Sequence, residues 1–366
     1  MKKNEKIISP FDLISFLVFI PVMLLYLLAS ASQTLADTVN SGVSQQFRKI
    51  MASFGEFFPF SLFEVFVFFL PLILFLIIYV GIKRFSSLKG GIRFLINLLA
   101  LVLLIYSGHI LALGIGYKTT PIAEKMELPE TSVTAENLKE VMISLCDEVN
   151  SLADTVPRNQ SGVFEPEYSY SEISEKILAS YSTLESKYGF AEGFYSTAKG
   201  VKAGNLMSYL GISGIYTYIT GEANVNTAFP AYDTIFTAAH EMSHQRGVLR
   251  EDEANFISFM AGINSDSPEF RYSAYTHALI LAGNKLSARD SDLYNKLWEH
   301  YDKGMIIDFN NNSKYWDQFE DTVIQEVSDT VNDTYLKINN QTDGVASYGR
   351  MVDLLLAWFR EEIAND

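Results

Sequence analysis

Three runs of the chain are almost wholly apolar: Leu13 to Ala31, Phe60 to Ile82, and Phe94 to Tyr117, the last interrupted mainly by Asn97, Ser107 and His109. Each has about the 20 residues that cross a hydrocarbon core as a helix, so three transmembrane helices are predicted. Further on the pattern becomes helical periodicity with one wet face. Leu138, Val141, Met142, Leu145, Val149 and Leu152 form one stripe, and Ile173, Ile177, Tyr181, Leu184 and Tyr188 another, stopped at Gly189. The spacing continues over 271–286, 289–303, 314–336 and 347–362. Only Gly214 to Thr220 and Ala223 to Thr227 read as strands, being β-branched or aromatic with polar alternation. Tyr117 to Thr134, with prolines at 121 and 129, reads as a linker. The fold class expected is therefore α+β and mostly α. A membrane domain spans 1–117, a linker 118–134 and an outer domain 135–366.

Lysine and arginine orient the spans. Lys2, Lys3 and Lys6 precede the first, and Lys83, Arg84, Lys89 and Arg93 lie around the connection from second to third, whereas the first connection carries only Arg48 and Lys49. The positive-inside bias places the N-terminus in the cytoplasm and the C-terminal domain outside. Residues 1–36 also have the basic start and apolar centre of a secretory signal, whose removal would leave the later topology unchanged. Charge divides in the same way: residues 1–117 carry a net +4 and residues 118–366 a net −19, making up the −15 of the whole. So acidic a domain excludes nucleic acid as a partner. The single cysteine, Cys146, excludes an internal disulfide and falls in a buried helical register with Met142 and Val149. Glu64 lies one turn into the second span and reaches the interface. His109 lies deeper, where a hydrogen bond between helices is its expected role.

Candidate chemistry concentrates in one place. His240-Glu241-Met242-Ser243-His244 places two of only five histidines four residues apart on a predicted helix. Positions i and i+4 share a face, so both imidazoles reach one metal ion, with Glu241 beside them as a base. Gly247 offers a left-handed helix stop. A second helix opens at Glu251-Asp-Glu-Ala-Asn255 and supplies a third ligand. Glu251 is favoured because Asn255 lies one turn along on the same face, able to hold a ligand in place. Glu253, about 160° round the helix, is the alternative.

HExxH followed by Glu-x-x-Ala-Asn resembles the zincin hydrolases of the gluzincin type, in which the later glutamate is the third zinc ligand. More closely, His-Glu-Met-Ser-His-Gln-Arg-Gly with Glu-Asp-Glu-Ala-Asn-Phe, and Ser347-Tyr-Gly-Arg-Met-Val-Asp near the end, is similar to the bacterial membrane family known as domain of unknown function 3810. The resemblance covers nearly the whole chain and implies a zincin-like domain, with Zn2+, on a multi-pass anchor in the bacterial cytoplasmic membrane. Zincins place a short sheet before this helix, and its edge strand holds an extended substrate. Glu222, Asn224 and Asn226 are candidates for substrate contact, with turn chemistry as the competing role. Tyr348, Arg350 and His277 are candidate stabilisers of an oxyanion. His300 reads as an ordinary helix histidine. The function expected is hydrolysis of peptide bonds in a peptide or envelope protein, with the lipid bilayer as the other partner. The alternative is a zinc-containing binding or sensor module that does not turn over.

Overall fold

The structure, a computed structural model, describes residues 7–188, 196–319, 323–339 and 341–365. Helix α1, Pro10–Ser30, opens with a capping box between Ser9 and Asp12. Two short helices follow, α2, Gln33–Val39, and α3, Gln45–Glu56, joined by a π turn at Asn40–Ser44. Helix α4, Leu62–Arg84, turns at once into α5, Leu88–His109, which continues through a π turn and a 3₁₀ turn to Lys118. These three long helices are apolar enough to cross a membrane.

The rest is helical around one small sheet. Helix α6, Ile122–Lys125, is a single turn, followed by α7, Ala135–Ala153, and α8, Tyr170–Tyr188. Strand β1, Lys199–Val201, and α9, Gly204–Tyr209, lead to β2, Gly214–Thr217, and β3, Glu222–Asn226. β3 is central, parallel to β1 and antiparallel to β2. Then come α10, Ala231–Gln245, α11, Glu251–Ile263, α12, Pro268–Arg289, α13, Ser291–Leu297, α14, Lys303–Trp316, α15, Val323–Ile338, and α16, Met351–Asn365. Helix α10 is the hub, with Tyr232 and every residue from Thr234 to Gln245 buried. Its apolar positions join those of α7, α8, α11, α12 and α16 in one core. Tyr181 fastens α8 to α10, its hydroxyl donating to the Ala239 carbonyl and bonding Ser243.

Several expectations meet a different outcome. The strand expected to reach Thr220 ends at Thr217, because the hairpin turn occupies the next residues and Gly221 takes φ +70°. β1 was not foreseen, three residues being too few to show alternation. The stretch 314–336 belongs to two helices, α14 ending at Trp316 and α15 starting at Val323. The stretch 289–303 holds α13 and a 3₁₀ turn. The stop expected at Gly189 lies outside the described residues. Within 118–134, Ile122 is buried and its amide bonds Glu253, so that stretch is packed rather than free.

The connection from α1 to α4 departs furthest from expectation. It is folded against the outer domain. Glu222 of β3 accepts hydrogen bonds from the Leu62 and Phe63 amides, satisfying orphan donors at the start of α4 and complementing the helix dipole. Ser61 bonds Asn224, and Glu64 accepts from the Lys202 and Ala203 amides. Glu222 and Asn224 are thus used in joining the sheet to the spans. Asn226 is buried, bonded to Ser208 and the Ala228 amide.

Candidate metal centre

Helix α10 presents His240 and His244 one turn apart, their rings 4.6 Å between centroids. It stops where Gly247 takes φ +91°, so the chain reverses and α11 returns beside it carrying Glu251. His240 Nε2 lies 3.1 Å and His244 Nε2 3.4 Å from the same Glu251 oxygen. One ligand atom from each of the three falls within 4.8 Å of the others. Ligands about 2.1 Å from a tetrahedral ion stand about 3.4 Å apart, so the cluster has the size a metal requires.

The outer faces of both rings are held. His244 Nδ1 donates to the Val248 carbonyl at 2.8 Å, and His240 Nδ1 to Asn255 Oδ1 at 2.7 Å. The Asn255 amide nitrogen faces the Tyr348 carbonyl, which fixes its oxygen toward His240. With Nδ1 of each ring donating outward, each Nε2 points inward, and its lone pair is the one a metal takes once any proton there is displaced. Glu251 is aligned in turn, its amide bonded to Gln341.

Electrostatics suits a cation. Burial acts to raise Glu251, yet His244 and His240 hold it well below the usual carboxylate range. Burial acts to lower His244, but the Glu251 charge and hydrogen bond reverse this and hold it at about 9. Glu241, packed against the start of β2, is pushed up by burial, against the pull of the two histidines. The fit there is close: a Cβ on Gly214 would stand 2.6 Å from Glu241 Oε1.

Tyr348 lies beside the cluster, its ring 6.1 Å from that of His240, and burial together with the nearby Glu251 charge pushes its phenol well up. Arg350 instead bonds Asp252 and Asp343 on the far side of α11. His277 stacks on Phe236 and bonds Asp233, two turns back along α10. Glu253 faces away, accepting from Arg250 and the Ile122 amide. Cys146 is buried, its thiol donating to the His300 carbonyl and pushed up by burial to about 11.

Arg48, Gly214 and Tyr335 were not among the candidate site residues read from the sequence. Fully buried Arg48 donates to the Asn40 side chain and to the Asn40, Ala112 and Arg246 carbonyls, so it ties α3 and the end of α5 to the turn after His244. Its one signal in sequence is a charge within an apolar third. Tyr335 of α15 packs against Tyr117 and His109, at the end of the third span.

Fold and site together define a protein with three helices apolar enough to cross a membrane and a helical domain that carries a His-His-Glu cluster able to hold a metal ion. The chain belongs to the family described as protein of unknown function (DUF3810), whose model matches residues 39–356. No curated protein and no solved structure matches the chain.

Proposed function

We propose that the protein is a zinc-dependent peptidase anchored in the bacterial cytoplasmic membrane, with a zincin-like domain over 135–366 facing outward. The observation that carries the reading is the combination of two histidines and Glu251 in a metal-sized cluster with a buried acid, Glu241, beside it. Two imidazoles and one carboxylate are a donor set suited to zinc in a hydrolytic site. Zinc, when bound, polarises water and brings its pKa toward neutrality. Glu241 takes the water proton and returns it to the leaving amine. Burial favours its protonated form, which matches the second half of that cycle. Tyr348, kept protonated chiefly by burial, donates to the developing oxyanion. The free edge of β2, beside Glu241, pairs with the extended substrate.

Glu241→Gln tests this directly. Glutamine keeps the shape but cannot accept the proton, so zinc content and melting temperature are expected to stay at wild-type values. Hydrolysis of a peptide library by the purified full-length protein is expected to fall by about 10²–10⁴. Cleavage at the wild-type rate would remove Glu241 as the base and leave a binding or sensor module.

A further inference from the structure

The metal cluster and the lipid-facing surface are joined by one strand. β2 is an edge strand, and among the described residues no other strand covers its outer side. At its start Gly214 lies against Glu241, where a Cβ would stand 2.6 Å from Oε1. Four residues on, about 13 Å along an extended chain, Tyr218 donates to the Ile105 carbonyl of the third span at 3.2 Å and sets its ring against His109.

Ile105 marks the level where lipid gives way to protein. Leu95, Leu99, Leu101, Val102, Ile105 and Tyr106 are exposed, whereas Ser107, Ile110, Ala112 and the residues from Gly114 to Tyr117 are buried. From Leu88 to Ile105 is about 26 Å of helix, close to the roughly 30 Å of a hydrocarbon core. Around this level the otherwise acidic outer part shows apolar side chains. Phe54 and Phe57 are 57% and 90% exposed on and beside α3, whose other face buries Arg48 and Gly55. Ile219 at the hairpin tip and Val327 and Val331 on α15 are also exposed. One turn after Val331 on α15, Tyr335 touches His109, so the patch is continuous with the spans. An amphipathic rim of this kind rests in a bilayer interface.

We propose that the substrate is a membrane-anchored polypeptide cut within a few residues of its transmembrane segment. A chain paired on β2 passes from Glu241 to the lipid boundary in about four residues, which is too short for a distant loop and right for a juxtamembrane stretch. This inference rests on the peptidase reading, and its test separates the two.

The full-length protein is reconstituted in vesicles of phosphatidylethanolamine and phosphatidylglycerol. One randomised peptide library is supplied in three forms: free, joined directly to a polyleucine span, and joined to the same span through a Gly/Ser spacer of about thirty residues, which reaches roughly 30 Å. At equal surface density the directly joined library is expected to be cut about tenfold faster than the spaced one. Equal or faster cutting of the spaced library overturns the substrate class and leaves the peptidase standing. No cutting of any form overturns the peptidase and this substrate with it. A second measurement needs no turnover. A fluorophore on Ile219→Cys is expected to be quenched by nitroxide lipids while one on Ser161→Cys is not; an unquenched Ile219→Cys overturns the inference.

Discussion

His244 is held between two oxygens, the Val248 carbonyl on Nδ1 and the Glu251 carboxylate on Nε2. In the free protein this makes it an imidazolium up to about 9, above its ordinary 6.5. The ion pair therefore stabilises the metal-free fold fully below 6.5, and that share fades as pH rises through about 9. Glu251 behaves oppositely: its share is present above its ordinary 4.5 and is lost as pH falls below that value. A metal must displace the His244 proton, so zinc affinity is expected to rise with pH between 6.5 and 9, approaching tenfold per unit for one proton. Competition with a chelator across that range measures the slope. An affinity independent of pH would mean that His244 is neutral before metal arrives.

Three successive acids open helix α11, and each has its own partner. Glu251 joins the histidines, Asp252 pairs with Arg350, and Glu253 pairs with Arg250. A helix turns about 100° per residue, so neighbours in sequence must face different surroundings. Glu251→Ala is expected to abolish stoichiometric zinc binding. Glu253→Ala is expected to keep the zinc and to lose about 1–3 kcal/mol of stability, because Arg250 and the Ile122 amide lose a buried acceptor. Metal analysis and denaturant unfolding of both variants decide it; loss of zinc only in Glu253→Ala would reverse the assignment. Residue types alone could favour Glu251 through the Asn255 spacing. That Asn255 serves His240, and not the glutamate, depends on how α10 and α11 meet.

Residues 33–64 and the domain after the third long apolar helix contact each other at one end of the three long helices, through Arg48, Ser61, Glu64 and Glu222. The basic turn from α4 to α5 lies at the other end. If the positive-inside bias keeps this turn in the cytoplasm, the His-His-Glu cluster is expected on the opposite side. A reporter fused after Asp366 is expected to be active only outside the cytoplasm, and one inserted near Ser87 only within it. A C-terminal reporter active in the cytoplasm would invert the sidedness and the choice of substrates.

Much of this was legible in the chain itself. Apolar run length determined the three spans, since any helix crossing lipid must hide its backbone polar groups and present apolar side chains throughout. Periodicity marked α7, α8 and α10, and the four-residue spacing placed His240 and His244 on one face, because helix geometry is local. Glu251 was favoured on the same local grounds. Contacts between elements were not legible. Arg48 counted only as a loop charge, yet it reaches Arg246, 198 residues away. His109 was expected to hydrogen-bond a neighbouring apolar helix, but the rings of Tyr218 and Tyr335, from the domain that follows, pack against it. His277 and Arg350 had the right chemistry for the site and were placed elsewhere, on Asp233 and Asp252. Backbone hydrogen bonds and apolar spacing follow a short-range rule that sequence carries. Which polar side chain satisfies which buried partner is decided only when distant elements pack, because an unmet donor or acceptor costs too much to bury.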